Sequence, residues 1–125
     1  MEKYLTIHQV SERTGLSVHT LRYYEKIGLI HSVKRSSNQY RLYDIDNLLW
    51  IEFLMRLKQT GMPIHQMIQF AYLRSLGSST VNDRRKLLEE HYHSVVKQVE
   101  ELQNSMKVIQ DKINYYKDLE EKNHE

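Results

Sequence analysis

"TLRYYEKIGLI", residues 20–30, sets an arginine beside two tyrosines on a short run that a glycine closes. On a helix only one of Arg22, Tyr23 and Tyr24 can turn toward a core, so the other two are presented outward. The residues just upstream make the helical reading firm. Thr6 with Gln9 has the spacing of a capping box, Gly15 closes a first helix, Ser17 caps a second and Gly28 ends it. Ile7, Val10, Leu16, Leu21 and Tyr24 supply the apolar contacts that pack two helices about a turn of roughly three to four residues, which is helix-turn-helix spacing.

Beyond Gly28, "LIHSVKRSSNQYRLYD" flanks a polar Ser36-Ser37-Asn38-Gln39 cluster with β-branched and aromatic residues, the pattern of a two-stranded hairpin. Asn38 is expected to take the positive φ of the turn. The arms carry Lys34, Arg35 and Arg41 beside Tyr40 and Tyr43. Guanidinium and phenol groups both donate to phosphate oxygens, so a wing lying along a nucleic-acid backbone fits. A solvated edge hairpin that uses charge against aggregation fits the same residues.

Asp44 then caps "IDNLLWIEFLMRLKQTG", where Ile45, Leu48, Leu49, Trp50, Ile51, Phe53, Leu54, Met55 and Leu57 make nearly every side apolar. Such a helix is expected to be buried from more than one direction. Gly61 stops it, Pro63 opens the next, and Ile64, Met67, Ile68 and Ala71 form that helix's apolar face. The polar "RSLGSS" reads as a connector. From Thr80, an expected cap with Asp83 three residues on, neither glycine nor proline interrupts the chain. Leu88, Tyr92, Val95, Val99, Leu102, Met106, Ile109, Ile113 and Tyr116 follow at alternating spacings of four and three, a coiled-coil repeat. A helix of about 40 residues runs about 60 Å, too long for one small domain to cover its stripe, so a second copy is expected to cover it. A lone helix folded back on its own domain is the alternative.

Composition removes whole classes of function. The 125 residues include no cysteine, which excludes disulfides, thiolate metal sites and thiol redox chemistry. No apolar run approaches the roughly 20 residues of a membrane span, and the first twenty residues are too polar for a signal peptide, so a cytoplasmic protein is expected. The net charge of +2 conceals an asymmetry: residues 1–43 carry seven Lys/Arg against three Asp/Glu, and residues 80–125 carry eight against ten. The basic end is the end with the helix-turn-helix, which favours nucleic acid. Catalysis is not expected, since there is no Gly-rich phosphate loop or cysteine nucleophile and the Glu-Glu pairs are spread along the coil. Neither metal nor cofactor is expected: His91 and His93 are two apart on a helix, and His8, His19, His31 and His65 have no clustered partner.

Taken in order, the helix-turn-helix, "TLRYYEKIGLI", the "NQYRLYD" wing, the "GMPI" joint and the final coil resemble the MerR family of transcription regulators over essentially the whole chain. "WIEFLMRLKQTGMPI" with "STVNDRRKLLEEH" is most similar to the small branch that answers aldehydes and electrophiles through one cysteine. Here Arg56 stands at that cysteine's position. The resemblance implies a mainly α fold, with a winged helix-turn-helix head bearing a small β-hairpin wing and a long C-terminal dimerisation helix in an antiparallel coiled coil. The expected division is a head over residues 1–75, a linker at 76–79, the dimerisation helix over 80–120 and a tail at 121–125.

The same resemblance implies that the second helix enters the major groove while the wing follows the backbone. Ser17, His19, Thr20, Arg22 and Tyr23 would face the groove and nearby phosphates, and Lys34, Arg35, Tyr40 and Arg41 would lie on the wing. Relatives usually carry a glycine in the wing turn where this chain has Gln39. The implied mechanism is a homodimer on an inverted repeat in double-stranded promoter DNA, bending and untwisting its centre so that RNA polymerase is affected indirectly, as in stress-response regulation. The effector would be a small molecule of a class the residues do not disclose. A DNA-binding repressor or architectural protein without an effector is the alternative. Arg56 is the possible switch, paired either with Glu52 four residues earlier or with a carboxylate such as Glu89 or Glu90.

Overall fold

The computed structural model describes residues 4–31 and 34–124. In chain order they form β1 (Leu5–Thr6), α1 (Ile7–Thr14), α2 (Val18–Lys26), β2 (Lys34–Arg35), β3 (Arg41–Tyr43), α3 (Ile45–Gln59), α4 (Ile64–Ser75), a 3-10 turn (Gly77–Thr80) and α5 (Val81–His124). Two compact units result, one through Leu88 and one from Glu89 on.

Local chemistry sets the ends of the first helices. Thr6 Oγ1 accepts from Gln9 N–H while Gln9 Oε1 accepts from Thr6 N–H, so the capping box forms in full. Gly15 takes φ 78° at the end of α1 and donates to the Ser11 carbonyl, a left-handed position that a Cβ would strain. Within the turn, the buried Thr14 hydroxyl donates to Val10 O and accepts from Leu16 N–H. Polar groups at this crowded corner are therefore paired.

The expected hairpin is part of a three-stranded antiparallel sheet in the order β1-β3-β2. Its outer strand, residues 5 and 6, is too short to leave a periodic mark in the sequence. In the wing turn, Gln39 N–H donates to Ser36 O and Ser36 N–H to Tyr40 O, and Gln39 rather than Asn38 takes the positive φ, at 67°. This is a type I turn followed by a left-handed bulge residue, in which the positive φ falls one position later than in a two-residue loop. Val33 and Ser32, between Leu29-Ile30 and the first wing strand, lie outside the described residues.

The core of the first unit gathers Val10, Leu21, Leu29, Ile30, Ile51 and Leu54 from different elements. Helix α3 packs against α1, β3 and α4, so it is buried from more than one direction as expected, although along one half of its circumference only. Leu48, Trp50, Ile51, Leu54 and Leu57 are buried, whereas Ile45, Leu49 and Phe53 are exposed. Composition cannot tell which side of an all-apolar helix a small head has material to cover. On α4 the anchor is Phe70, which stacks on Trp50 at 5.6 Å, with Met67 and Ala71 buried beside it and Ile64 left exposed. Arg74 and Ser75, expected in the connector, complete α4, and Gly77–Thr80 tightens into the 3-10 turn.

Thr80 does not cap α5 as expected. Its buried hydroxyl turns back to the carbonyls of Leu73 and Gly77 and accepts from Arg84 Nε. Leu87 and Leu88, in the second turn of α5, pack against the core of the first unit. Farther along α5, Tyr92, Val99, Leu102, Met106, Ile109, Ile113 and Tyr116 are exposed and Val95 is half-buried. A seam with Leu102 at 66% and Met106 at 67% exposure is apolar surface that one copy leaves in water. No helix among the described residues is long and apolar enough to cross a membrane.

Replacing Gln39 with Gly should raise stability by about 0.5–1 kcal/mol, because glycine adopts positive φ without the Cβ clash. Gln39→Val should lower stability instead, and urea denaturation of the three chains checks the order. A second expectation concerns Tyr43, wholly buried, whose hydroxyl has no hydrogen-bond partner among the described residues. Burial pushes its phenol above the ordinary range, and the Glu25 charge pushes the same way. The folded chain thus keeps a proton that the unfolded chain loses above about pH 10, so stability falls as pH rises past that point. Tyr43→Phe should add about 1 kcal/mol at pH 7 and lessen the alkaline loss, as read from urea midpoints at both ends of that range.

Candidate nucleic-acid interface

Helix α2 divides its side chains by period. Leu21 and Tyr24 turn into the core, while His19, Arg22, Tyr23 and Lys26, spaced by three, one and three, share the exposed face. The opening pair of tyrosines is thus split: Tyr24 is 5% exposed and Tyr23 48%. Lys58 Nζ donates to the Tyr24 hydroxyl at 3.3 Å, which satisfies the inward phenol at its polar tip. Lys26 lies one helical turn beyond Arg22 and joins this exposed face, a place that no motif in the sequence marks.

At the start of α2, Ser17 Oγ accepts from Thr20 N–H at 3.0 Å and donates to Thr20 Oγ1 at 2.9 Å. Ser17 remains exposed and Thr20 is half-buried. The Ser17 hydroxyl proton is committed to the cap; the Thr20 hydroxyl proton is the one left for an external acceptor.

On the wing, Tyr40 is the most exposed aromatic residue, at 71%. Lys34 Nζ donates to the Tyr4 hydroxyl at 3.3 Å and lies 5.3 Å from that ring's centre, which holds a flexible cation near the sheet edge. Arg35 and Arg41 are not independent cations. Glu25, on α2, accepts Arg35 Nη2 at 2.8 Å on one oxygen and Arg41 Nε at 3.0 Å on the other. Nothing local marks Glu25 in sequence, since its partners lie ten and sixteen residues away.

Arg22 and the wing meet. A groove of about 430 Å³ is lined by Thr6, Ile7 and His8 from the first helix and its cap, by Arg22 from α2, and by Gln39, Tyr40 and Arg41 from the wing. Two guanidiniums, a phenol, an imidazole and the positive end of α1 converge there, a donor set that suits a phosphate oxygen. His8 enters this set through its place in the first turn of α1, which its spacing from the other histidines does not reveal.

Arg56 lies elsewhere, beside a surface depression of about 160 Å³ lined also by Arg13, Thr14, Glu52, Met55 and Gln59. Its guanidinium donates to Gln59 Oε1 at 3.3 Å. The helical ion pair expected with Glu52 does not form. Among the described residues no group of three or more His, Asp or Glu side chains is arranged to hold a metal ion.

Comparison with known proteins gives one family model, MerR family regulatory protein, matching residues 6–43, from the cap of α1 to the end of the wing. HTH-type transcriptional regulator AdhR of Bacillus subtilis is 36% identical over 92 residues, which cover 74% of this chain and 66% of AdhR. An uncharacterised HTH-type transcriptional regulator of Haemophilus influenzae is 32% identical over 89% of this chain and 82% of its own length. The chain therefore spans about two-thirds of AdhR and more of the second relative. Among solved structures, HiNmlR, a MerR family regulator lacking the sensor domain, seen bound to promoter DNA, superposes with a TM-score of 0.84 at 31% identity, covering 91% of this chain and 90% of that one. A MerR family transcriptional regulator from Listeria monocytogenes gives 0.85 at 30% identity, covering 90% and 85%.

Replacing Arg22 with Ala should weaken binding to a duplex carrying the native upstream region by about 1–3 kcal/mol. Lys26→Ala should weaken all duplexes alike and reduce the slope of log affinity against log salt by about one unit. Fluorescence anisotropy over a salt series reads both; a Lys26→Ala chain with the parent's slope would remove that residue from the interface.

Proposed function

The chain belongs to the MerR family of regulatory proteins, and we propose that it is a non-enzymatic, cytoplasmic regulator that binds an inverted repeat in promoter DNA as a homodimer and controls initiation by distorting the DNA. The observation that carries the DNA-binding part is the groove in which Arg22 of α2 meets Tyr40 and Arg41 of the wing. The HiNmlR structure, bound to promoter DNA, supports the same orientation of function. In this reading Ser17, His19, Thr20, Arg22, Tyr23 and Lys26 serve the groove and its flanking phosphates, and Lys34, Arg35, Tyr40 and Arg41 serve the neighbouring backbone.

The dimer is supported by α5. Its 44 residues would extend about 66 Å, and the exposed seam from Tyr92 to Tyr116 needs a cover that a second identical seam supplies. Twofold symmetry then gives two heads facing two copies of one half-site in opposite directions. An antiparallel coil sets those heads more than one helical turn of DNA apart. Deforming the intervening DNA costs of the order of 1–6 kcal/mol, which contacts from two separated heads offset. RNA polymerase is then an indirect partner, responding to the realigned promoter.

Arg56 is the proposed point of divergence from the thiol-sensing branch that the chain resembles. A guanidinium is permanently charged and is not readily modified by an aldehyde or oxidant, and the chain has no cysteine to substitute for it. Activity is therefore constitutive or governed by a ligand other than an electrophile.

Transcription in vitro from the native promoter, with sedimentation of the same sample, tests the reading. The expected result is a dimer at micromolar concentration, a footprint of two half-sites, and a transcript level that formaldehyde leaves unchanged but Arg56→Ala alters. A monomer would remove the dimer, and an electrophile response would remove the assignment for Arg56. Occupancy of the promoter with no change in transcript would favour a purely architectural role.

A further inference from the structure

We infer that Glu25 is a positioning residue that sets the angle between α2 and the wing, and through that angle the preference for an operator over other DNA; the inference rests on the DNA-binding reading above. Glu25 sits on α2 one residue from the exposed stripe, with its side chain 23% exposed. One oxygen accepts Arg35 Nη2 at 2.8 Å and the other accepts Arg41 Nε at 3.0 Å. Each oxygen serves a different strand of the hairpin, so both strands are referred to a single carboxylate plane.

Without that carboxylate the two arginines oppose one another. Arg35 and Arg41 are direct partners in the β2–β3 register, and like charges at such a position push a hairpin apart. Glu25 removes the repulsion and anchors the pair to α2. A further bond, Arg35 Nη1 to the Gln39 carbonyl at 3.3 Å, carries the restraint to the wing tip, where the backbone has positive φ. The path therefore runs from α2 to the tip through one carboxylate and one guanidinium.

The placement conflicts with simple affinity. A carboxylate on a surface that faces phosphates repels them and reduces the positive charge available for counterion release. An anion kept there lowers binding to DNA in general and contributes geometry in return. Geometry matters because contacts in the groove and contacts along the backbone are made together only if the two elements hold a set separation.

The experiment uses the full chain, a duplex bearing the footprinted half-sites, and a scrambled duplex of equal length, with anisotropy measured across a salt series. Glu25→Gln should bind the scrambled duplex more tightly, with a salt slope steeper by up to about one unit. Its operator-to-scrambled affinity ratio should fall by about tenfold. Glu25→Asp keeps the charge but is one methylene shorter, so it should lose ratio while retaining the parent's slope. In an Arg35→Gln background, Glu25→Gln should have a much smaller further effect on the ratio, since the two residues act as a unit. Equal factors on both duplexes for Glu25→Gln, a parent-like ratio for Glu25→Asp, or additivity with Arg35→Gln would each overturn the assignment. Should Glu25→Gln not fold by thermal denaturation, Glu25→Asp decides the matter alone. A parent chain that prefers neither duplex overturns the DNA-binding reading itself, before any variant is compared.

Discussion

The indole of Trp50 joins three segments that are far apart in sequence. Its N–H donates to the Leu29 carbonyl at 2.7 Å, its ring stacks on Phe70, and the Arg74 guanidinium covers it at 4.5 Å. Leu29 and Ile30 in turn donate their N–H groups to the Tyr24 carbonyl, so the chain leaving α2 is held at both ends of a short path. The hydrogen bond matters because Leu29 is wholly buried, and a carbonyl stranded there would cost about 1–3 kcal/mol. Residues just beyond Leu29 lead to the wing. One buried side chain on α3 thus ties down both the exit of α2 and the docking of α4.

With the exit of α2 held, charge decides how the surface can be used. The exposed face of α2 carries cations and a phenol, while the two wing arginines share Glu25. That arrangement leaves Arg22 and Lys26 as the more adaptable positive groups and makes the wing pair the rigid ones. Flexible cations favour general attraction to a polyanion, and restrained ones favour a particular spacing. A regulator that must tell one promoter from the rest of a genome needs the second kind as well as the first.

The second unit has no such internal logic. Past Leu88, α5 is a single helix with an apolar seam, and a single helix cannot bury its own seam. Its sequence repeat is regular over four heptads because each seam position meets the same environment in turn. Within the first unit no comparable repeat exists. There the apolar residues of α3 are divided between a buried half and the exposed Ile45, Leu49 and Phe53, a division that periodicity in the sequence did not show.

Much of what neighbours within about one helical turn set was determined by the sequence alone: the Thr6–Gln9 capping box, the Ser17 and Asp44 caps, the glycine that closes α1, and the inward turn of Tyr24. These depend on hydrogen bonds and periods that span three or four residues, so the chain carries them wherever it is placed. The helix-turn-helix caps, the wing and the heptad repeat are of the same local kind, which is why the fold class is legible in the sequence. Only the tertiary structure decided which half of α3 is covered, that Gln39 rather than Asn38 takes the positive φ, that Phe70 is the anchor of α4, and that Thr80 turns back instead of capping α5. It also brought Glu25 to Arg35 and Arg41, and the Trp50 indole to Leu29. Contacts of this kind depend on where separate elements come to rest, and no period or cap within one element records that.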